Sequence, residues 1–196
     1  MLYLFFKYLL TPFFWLIFRP IIIGGENLRI RGKAIFVCNH MSMADPVMLA
    51  FASPRIIHFM AKSELFANPV ANVFFRALLA FPVNRRQSDM ASMKNAIRVL
   101  EKGKVFGIFP EGKRAVTDDL DEFEKGAAFL AIRSGAPVVP IYLSRDTYKK
   151  VRLKMAVGEP ILVGSLVATT PKNKLVDVVT DEISDAMRVL QAIVEE

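Results

Sequence analysis

The sequence predicts an α/β fold, with one domain built on a mixed, mostly parallel central sheet that helices cover. From residue 34 onward, short β-like runs alternate with segments of helical period, as in sheets covered by helices. The chain has 196 residues, enough for one compact domain, and no repeat or long linker divides it. A hydrophobic helical segment comes first. We therefore expect a membrane-associating segment over residues 1–24 and the domain over residues 25–196.

The amino-terminal segment is predicted to form a helix in the membrane interface. Tyr3, Lys7 and Thr11 recur every four residues and give an otherwise apolar helix a narrow polar stripe. Lys7 disfavours a clean membrane span, and Pro12 is expected to interrupt the helix. A buried core helix, or a span whose Lys7 reaches the headgroups, stays open as an alternative.

Four apolar runs are predicted to form the buried strands. Each is rich in β-branched or aromatic residues and is bounded by glycine, proline or a charged residue. One or two edge strands around a turn should follow them, near the carboxyl end. The four runs cover residues 34–38, 55–61, 104–110 and 137–143, and the edge strands fall within 151–163.

Five segments between and after these strands are predicted to be helices. The first has proline at its first helical position, the fourth ends at a glycine, and the last repeats apolar residues at three- and four-residue steps. They begin near Asp45, cover about 65–79, follow Ser88, cover about 124–133 before Gly135, and run from about Leu175 to Val194.

Composition favours a membrane surface over nucleic acid as the partner. The chain is 53% hydrophobic and carries a net charge of +7, a combination that fits an anionic lipid surface. The basic residues are scattered, without the aromatic-interleaved basic patch of a nucleic-acid site. Cys38 is the only cysteine, which excludes an intramolecular disulfide, and no pairing of cysteine with histidine predicts a metal site.

His40 stands where the first predicted strand ends, with Asp45 five residues on. In one continuous helix these side chains would lie about 500° apart, so they can meet only if the chain turns between them. A carboxylate on one ring nitrogen makes the other a better base. Alternatively Asp45 is an ordinary N-cap, which leaves the adjacent Asn39 and His40 unexplained. His58 has no acid within five residues and is predicted to be structural.

Charged residues also follow two other extended runs. Residues 111–114 should occupy a loop at a strand exit, where open α/β sheets place their ligands. A glycine flanked by an acid and two bases favours approach to an anionic group, although an ordinary charged turn is the alternative. Arg85 ends a short extended run, and its planar fork suits phosphate, although a solvated surface pair explains it equally well.

Taken in order, these stretches resemble the conserved blocks of the glycerolipid acyltransferase family. The resemblance covers about residues 30–145. One block alone would be weak, and the ordered set is specific. The matching stretches are NHMSMAD at 39–45, KSELFANP at 62–69 leading into FPVNR at 81–85, FPEGKR at 109–114, FEKGA at 123–127 and VVPIY at 138–142.

The resemblance implies a 1-acylglycerol-3-phosphate O-acyltransferase. Such an enzyme moves a fatty acyl group from a thioester of acyl carrier protein or coenzyme A to the sn-2 hydroxyl of lysophosphatidic acid, giving phosphatidic acid. The resemblance implies that His40 is the general base and that Asp45 orients it. No nucleophilic serine or cysteine is evident, so we expect no acyl-enzyme, and an activated thioester requires no metal or cofactor. The substrate-binding residues that it implies are Lys62, Arg85, Glu111, Gly112, Lys113 and Arg114.

Four positions depart from the family pattern, so the exact acceptor stays open. Lys113 stands where threonine is common and Ala115 where serine is common, while Asn72 and Ala80 stand where the second block often has glycine. Another lysolipid acceptor, or a non-catalytic basic membrane-binding module, is the alternative function. We expect the protein at the cell membrane, peripheral or monotopic on the cytoplasmic face, in contact with anionic lipid.

Overall fold

A seven-stranded sheet organises the chain, in the order β1-β7-β6-β2-β5-β3-β4. The computed structural model describes residues 2–77, 79–83, 90–114, 120, 122–149 and 152–195. Neighbouring strands are parallel except β6 and β7, which are antiparallel. The predicted α/β domain with a mixed, mostly parallel sheet is confirmed. The strands are β1 (Ile21–Ile23), β2 (Ala34–Cys38), β3 (Ile57–Lys62), β4 (Ala80–Val83), β5 (Val105–Ile108), β6 (Val138–Leu143) and β7 (Lys154–Val157).

Helices cover both faces of this sheet. Helices α4, α5 and α8 pack on one face, and α1 and α2 pack on the other. The described residues also form two short 3-10 helices, Gly25–Arg29 and Ser63–Phe66. The α-helices are α1 (Leu2–Phe18), α2 (Asp45–Ala52), α3 (Pro69–Ala77), α4 (Met90–Glu101), α5 (Gly126–Ser134), α6 (Asp146–Lys149), α7 (Val163–Thr169) and α8 (Leu175–Glu195).

Strand β2 shows how the two layers of core arise from the sequence. Successive side chains of a strand point to opposite faces of the sheet. Ile35 and Val37 therefore join the core under α5 and α8, while Ala34, Phe36 and Cys38 join the core under α1 and α2. All five residues are fully buried. A central strand covered on both faces explains why its run is continuously apolar.

Two predicted elements differ from the structure in instructive ways. The helix expected over residues 65–79 is a 3-10 turn followed by α3, which begins at Pro69. Asn68 Oδ1 accepts hydrogen bonds from the N–H groups of Val70 (2.9 Å) and Ala71 (3.2 Å), and this N-cap starts a new helix. Strand β7 is not an edge strand, because β1 pairs with its outer side.

The polar stripe of α1 faces the protein. Tyr3 and Lys7 are buried, and Lys7 Nζ donates hydrogen bonds to the carbonyl oxygens of Ser53 (2.7 Å) and Arg55 (2.9 Å) at the end of α2. A cation is favourable at the Ser53 carbonyl, the C-cap of α2, because a helix leaves its last carbonyls without intrahelical partners. Burial nevertheless lowers the pKa of Lys7 to about 8.

The opposite face of α1 is apolar and exposed. The prediction that Pro12 interrupts the helix is wrong, because α1 continues through it to Phe18. Phe14 and Phe18 pack against the core beyond the proline, and these contacts favour the helical second half. Among the described helices, none is long and apolar enough to cross a membrane. The exposed face carries Leu4, Phe5, Phe6, Tyr8, Leu9, Leu10, Phe13, Trp15, Leu16 and Ile17.

Candidate active site

His40 and Asp45 meet at the carboxyl end of β2. His40 lies just beyond the strand, and Asp45 is the first residue of α2. The chain turns between them, so that His40 Nδ1 and Asp45 Oδ2 are 2.8 Å apart. Their exposed fractions are 7% and 0%. The turn required by the sequence argument is therefore present, and it produces a buried histidine–carboxylate pair.

The turn itself holds the Asp45 carboxylate. Asp45 Oδ2 accepts hydrogen bonds from the backbone N–H groups of Met41 and Ser42, both at 2.7 Å. These donors precede Asp45 in the chain. The cap residue of α2 is Ala44, without a side-chain cap hydrogen bond, so the interpretation of Asp45 as an N-cap is wrong. Its carboxylate is directed back toward His40 instead.

Asn39 fixes the strand end from which His40 projects. Its Oδ1 accepts a hydrogen bond from Leu143 N (2.8 Å), and its Nδ2 donates to Leu143 O (3.1 Å). Both contacts reach the last residue of the neighbouring strand β6. A side-chain amide can satisfy one backbone donor and one acceptor at once, which explains why an asparagine precedes His40.

Phe109, the residue after β5, supports the imidazole. The rings of His40 and Phe109 stack with centroids 4.3 Å apart and an interplanar angle of 25°. Phe109 in turn stacks on Phe59 of β3 at 6.0 Å. Because β2, β5 and β3 are consecutive neighbours in the sheet, the residues at their carboxyl ends come together. The ring of His40 is therefore held by stacking as well as by its hydrogen bond.

Cys38 is next to this pair but is poorly suited to act as a nucleophile. Its side chain is fully buried. Burial raises the pKa of the Cys38 thiol well above its usual value, and the negative charges of Asp45 and Glu111 raise it further. The thiol therefore stays protonated, whereas the thiolate is the reactive form.

The predicted loop after β5 lies beside the dyad at the same sheet edge. Glu111 is buried, with 3% exposed. Gly112 has φ +65, a left-handed conformation that favours glycine, and a Cβ there would displace the carboxylate of Glu124. A cleft of about 390 Å³ opens here between Glu111, Gly112, Lys113, Glu122 and Glu124.

The predicted cationic residues are only partly placed. Lys113 and Arg114 are exposed in the loop after β5. Lys62 ends β3, is exposed, and lies 3.3 Å from Glu64 Oε1. Arg85 lies outside the described residues, as does Ala115. The structure therefore brings Lys62, Lys113 and Arg114 to the carboxyl edge of the sheet. The role of Arg85 stays a prediction.

One residue of the site carries no signal in the sequence. Tyr148, in α6, donates a hydrogen bond from its hydroxyl to Asp45 Oδ1. It lies 103 positions from Asp45, outside every matched block, so neither spacing nor motif could reveal it. Asn39 and Phe109 lie within the matched motifs, but the motifs did not indicate their roles. The structure shows that Asn39 binds Leu143 and that Phe109 stacks on His40.

Comparison with known proteins agrees with this architecture. The acyltransferase family profile matches residues 19–144, which include the dyad and the loop after β5. The chain belongs to the acyltransferase family. A 1-acyl-sn-glycerol-3-phosphate acyltransferase from Bacillus subtilis is 30% identical over 172 residues, and the match covers 85% of each chain.

Other members of the acyltransferase family match over a smaller part of their length. The 1-acyl-sn-glycerol-3-phosphate acyltransferase of Borreliella burgdorferi is 34% identical over 64% of this chain and 51% of its own. The Streptococcus pneumoniae protein of the same name is 33% identical over 67% of this chain and 51% of its own. This chain thus spans about half the length of these two relatives.

A solved structure shows the same fold. The crystal structure of the 1-acyl-sn-glycerophosphate acyltransferase PlsC from Thermotoga maritima superposes with a TM-score of 0.69. The alignment covers 95% of this chain and 82% of that one, at 20% sequence identity. At that identity the likeness establishes the fold, and the chemistry rests on the residues described above.

Proposed function

We propose that this protein transfers a fatty acyl group from an acyl thioester to the sn-2 hydroxyl of 1-acyl-glycerol-3-phosphate, giving phosphatidic acid for phospholipid biosynthesis. The observation that carries the proposal is the buried pair of His40 Nδ1 and Asp45 Oδ2, 2.8 Å apart at the carboxyl edge of the sheet. Membership of the acyltransferase family and the names of its relatives support the reaction class and the acceptor.

His40 is the general base of this reaction. Its Nδ1 is engaged by Asp45, so Nε2 is the nitrogen that can take the proton of the acceptor hydroxyl. The Asp45 carboxylate stabilises the imidazolium that results. General-base catalysis of this kind contributes about 10²- to 10⁴-fold to the rate.

The acyl group moves in one direct transfer. The acceptor oxygen forms a bond to the thioester carbonyl carbon as His40 takes the hydroxyl proton. The tetrahedral intermediate then breaks its carbon–sulfur bond, and the leaving thiolate receives the proton from the His40 imidazolium. The buried, protonated state of the Cys38 thiol supports direct transfer over a cysteinyl intermediate.

Exposed cations beside the dyad bind the acceptor phosphate. Lys62, Lys113 and Arg114 lie at the carboxyl edge, and Arg85 is added to them from the sequence prediction. Three of the residues lining the adjacent cleft are glutamates, so a phosphate placed inside the cleft would meet like charge. We therefore assign the phosphate to the cationic rim, and the cleft to the uncharged glycerol portion near Glu111.

The exposed apolar face of α1 lies in the membrane, on its cytoplasmic side. An acceptor with a long acyl chain resides in the bilayer, so the site must approach the headgroup plane. The ten exposed apolar side chains of α1 supply buried area, and the net charge of +7 attracts anionic lipid. Because Lys7 holds the polar stripe against α2, the apolar stripe is left facing outward.

A donor-by-acceptor panel tests the reaction. Purified protein is given palmitoyl-coenzyme A or palmitoyl-acyl carrier protein, with lysophosphatidate, lysophosphatidylcholine or monoacylglycerol as acceptor. We expect free thiol and phosphatidic acid in equal amounts with lysophosphatidate. Turnover confined to another acceptor would move the assignment to that lysolipid. Absence of turnover with every pair would favour a non-catalytic membrane-binding module.

A vesicle assay tests the membrane role of α1. Phe5 and Leu16 are 62% and 71% exposed, so replacing both with serine should leave packing intact. The matched control is the same double change at Val189 and Ile193, which are exposed on α8. We expect the α1 variant to sediment poorly with vesicles containing phosphatidylglycerol, while its turnover of a short-chain, monomeric acceptor is kept. Equal sedimentation of the two variants would exclude α1 as the membrane surface.

A further inference from the structure

The two oxygens of the Asp45 carboxylate have different partners. Oδ2 faces His40 Nδ1 and the amides of Met41 and Ser42. Oδ1 accepts the hydroxyl hydrogen of Tyr148. Rotation of the carboxylate away from His40 would therefore break contacts on both sides of the group.

Tyr148 is placed by its own surroundings rather than by Asp45. Ser144 N donates to Lys154 O (2.8 Å), and Thr147 N donates to Ser144 O (3.1 Å). Lys154 N donates to Thr147 Oγ1 at 3.3 Å. Ser144 and Thr147 are buried, and the Tyr148 ring packs against the core under α1 and α2. The short helix α6 is thus tied to the start of β7, and it presents the phenol at a fixed position.

The Tyr148 hydroxyl acts as a donor at any ordinary pH. Burial raises the pKa of Tyr148 well above its usual value, and the negative charge of Asp45 raises it further. The other titratable group whose charge acts on Tyr148 is Cys38, and the charges of Asp45 and Glu111 act in turn on Cys38. A protonated phenol can only donate to the carboxylate, because a carboxylate has no hydrogen to offer.

We propose that Tyr148 is a positioning residue of the His40–Asp45 dyad, which orients the carboxylate and moderates its attraction for the imidazolium. A donor on Oδ1 withdraws charge from the carboxylate, so Oδ2 holds the protonated imidazole less strongly than a free carboxylate would. Loss of this donor would strengthen that hold, so the protonated imidazole would give up its proton less readily. Only the expected effect on kcat and on the pH–rate profile rests on the proposed function.

The decisive test is Tyr148→Phe, studied by NMR and by kinetics. The chain has two histidines, so the ring signals of His40 and His58 can be assigned with one histidine variant and followed through a pH titration. We expect the titration midpoint of the His40 ring signals to move to higher pH in the variant, and the midpoint of the His58 signals to remain unchanged. The acidic limb of the pH–rate profile should move in the same direction, and kcat should fall about tenfold with nearly unchanged KM.

Tyr142→Phe is the matched control, because Tyr142 is a buried tyrosine of β6 whose hydroxyl interacts with Gln191 and Glu195. The melting temperature of the Tyr142→Phe variant, compared with that of the wild type, measures how loss of a buried hydroxyl changes the stability of the fold. An unmoved His40 midpoint in Tyr148→Phe would overturn the inference, whether activity is kept or falls with stability. The titration needs no substrate, so it decides the role of Tyr148 even if the wild-type protein fails to acylate lysophosphatidate.

Discussion

The two histidines of this chain are buried to nearly the same extent and differ in almost every other respect. His40 is 7% exposed at the carboxyl edge of the sheet, and His58 is 8% exposed near the start of β3. His40 contacts the Asp45 carboxylate. Burial lowers the pKa of His58, the positive charge of Lys104 lowers it further, and the backbone carbonyl of Val105 opposes them.

The difference shows that burial alone does not make a histidine a base. A buried imidazole becomes useful when a carboxylate fixes its tautomer and stabilises its protonated form. His58 has a cation nearby instead, so protonation there is disfavoured twice. The carboxyl edge of the sheet therefore gathers the groups proposed to react, while the structural role of His58 stays a prediction. Four substitutions test this contrast.

The largest effect is expected for His40→Gln. Glutamine approximates the volume of the buried ring but cannot take the hydroxyl proton at neutral pH. We expect kcat/KM for acyl transfer to fall by about 10³-fold or more. The melting temperature should stay within a few degrees of the wild type. Retention of more than a tenth of the activity would remove His40 from the mechanism.

Asp45→Asn should have the next largest effect. The amide oxygen can still accept from Met41 N and Ser42 N, and its NH₂ can donate to the Tyr148 hydroxyl, so the turn should survive. A neutral amide cannot stabilise the imidazolium. We expect kcat to fall about 10²-fold with little change in KM, measured at saturating acceptor. An effect mainly on KM would point to substrate binding.

Lys7→Met tests a third buried titratable group, the lysine of α1 that contacts the end of α2. The substitution keeps the length of the side chain but removes the donor to Ser53 O and Arg55 O. We expect the free energy of unfolding to fall by about 1–3 kcal/mol, with unchanged turnover per folded molecule. Thermal unfolding checks this. Lys125→Met, which removes an exposed lysine paired with Asp177, is the control and should have no measurable effect. A stabilised Lys7→Met would show that burying the ammonium costs more than its bonds supply.

His58→Gln is expected to have the smallest effect on activity, less than about twofold, because His58 lies near the opposite edge of the sheet from the dyad. It should change the pH dependence of stability. Since the folded pKa of His58 is lowered, the unfolded chain binds a proton first as pH falls below about 6.5, and the wild type loses stability. The variant should lose less between pH 7.5 and 5.5, as judged from melting temperatures. An equal loss in both proteins would show that another group causes it.

Much of the fold followed from local patterns because those patterns have direct physical causes. The stripe from Leu175 to Val194 became the buried face of α8, and the glycine after α5, Gly135, has the left-handed φ of +62. Strand β1 was missed because a run of three isoleucines after a hydrophobic helix gives no separate signal. Helix α6 was missed because four residues are too few to show a period.

For the candidate site, the sequence by itself determined which groups stand at strand ends: a histidine after β2, an acid at the start of α2 and a charged loop after β5. Strand ends are readable because an apolar run must stop where the chain leaves the core. Tertiary structure alone decided that Tyr148 reaches Asp45, that Phe109 stacks on His40, and that the polar stripe of α1 faces α2. Each of these depends on which distant surfaces pack together. That choice is set by the burial of the whole core, and no local period or spacing records it.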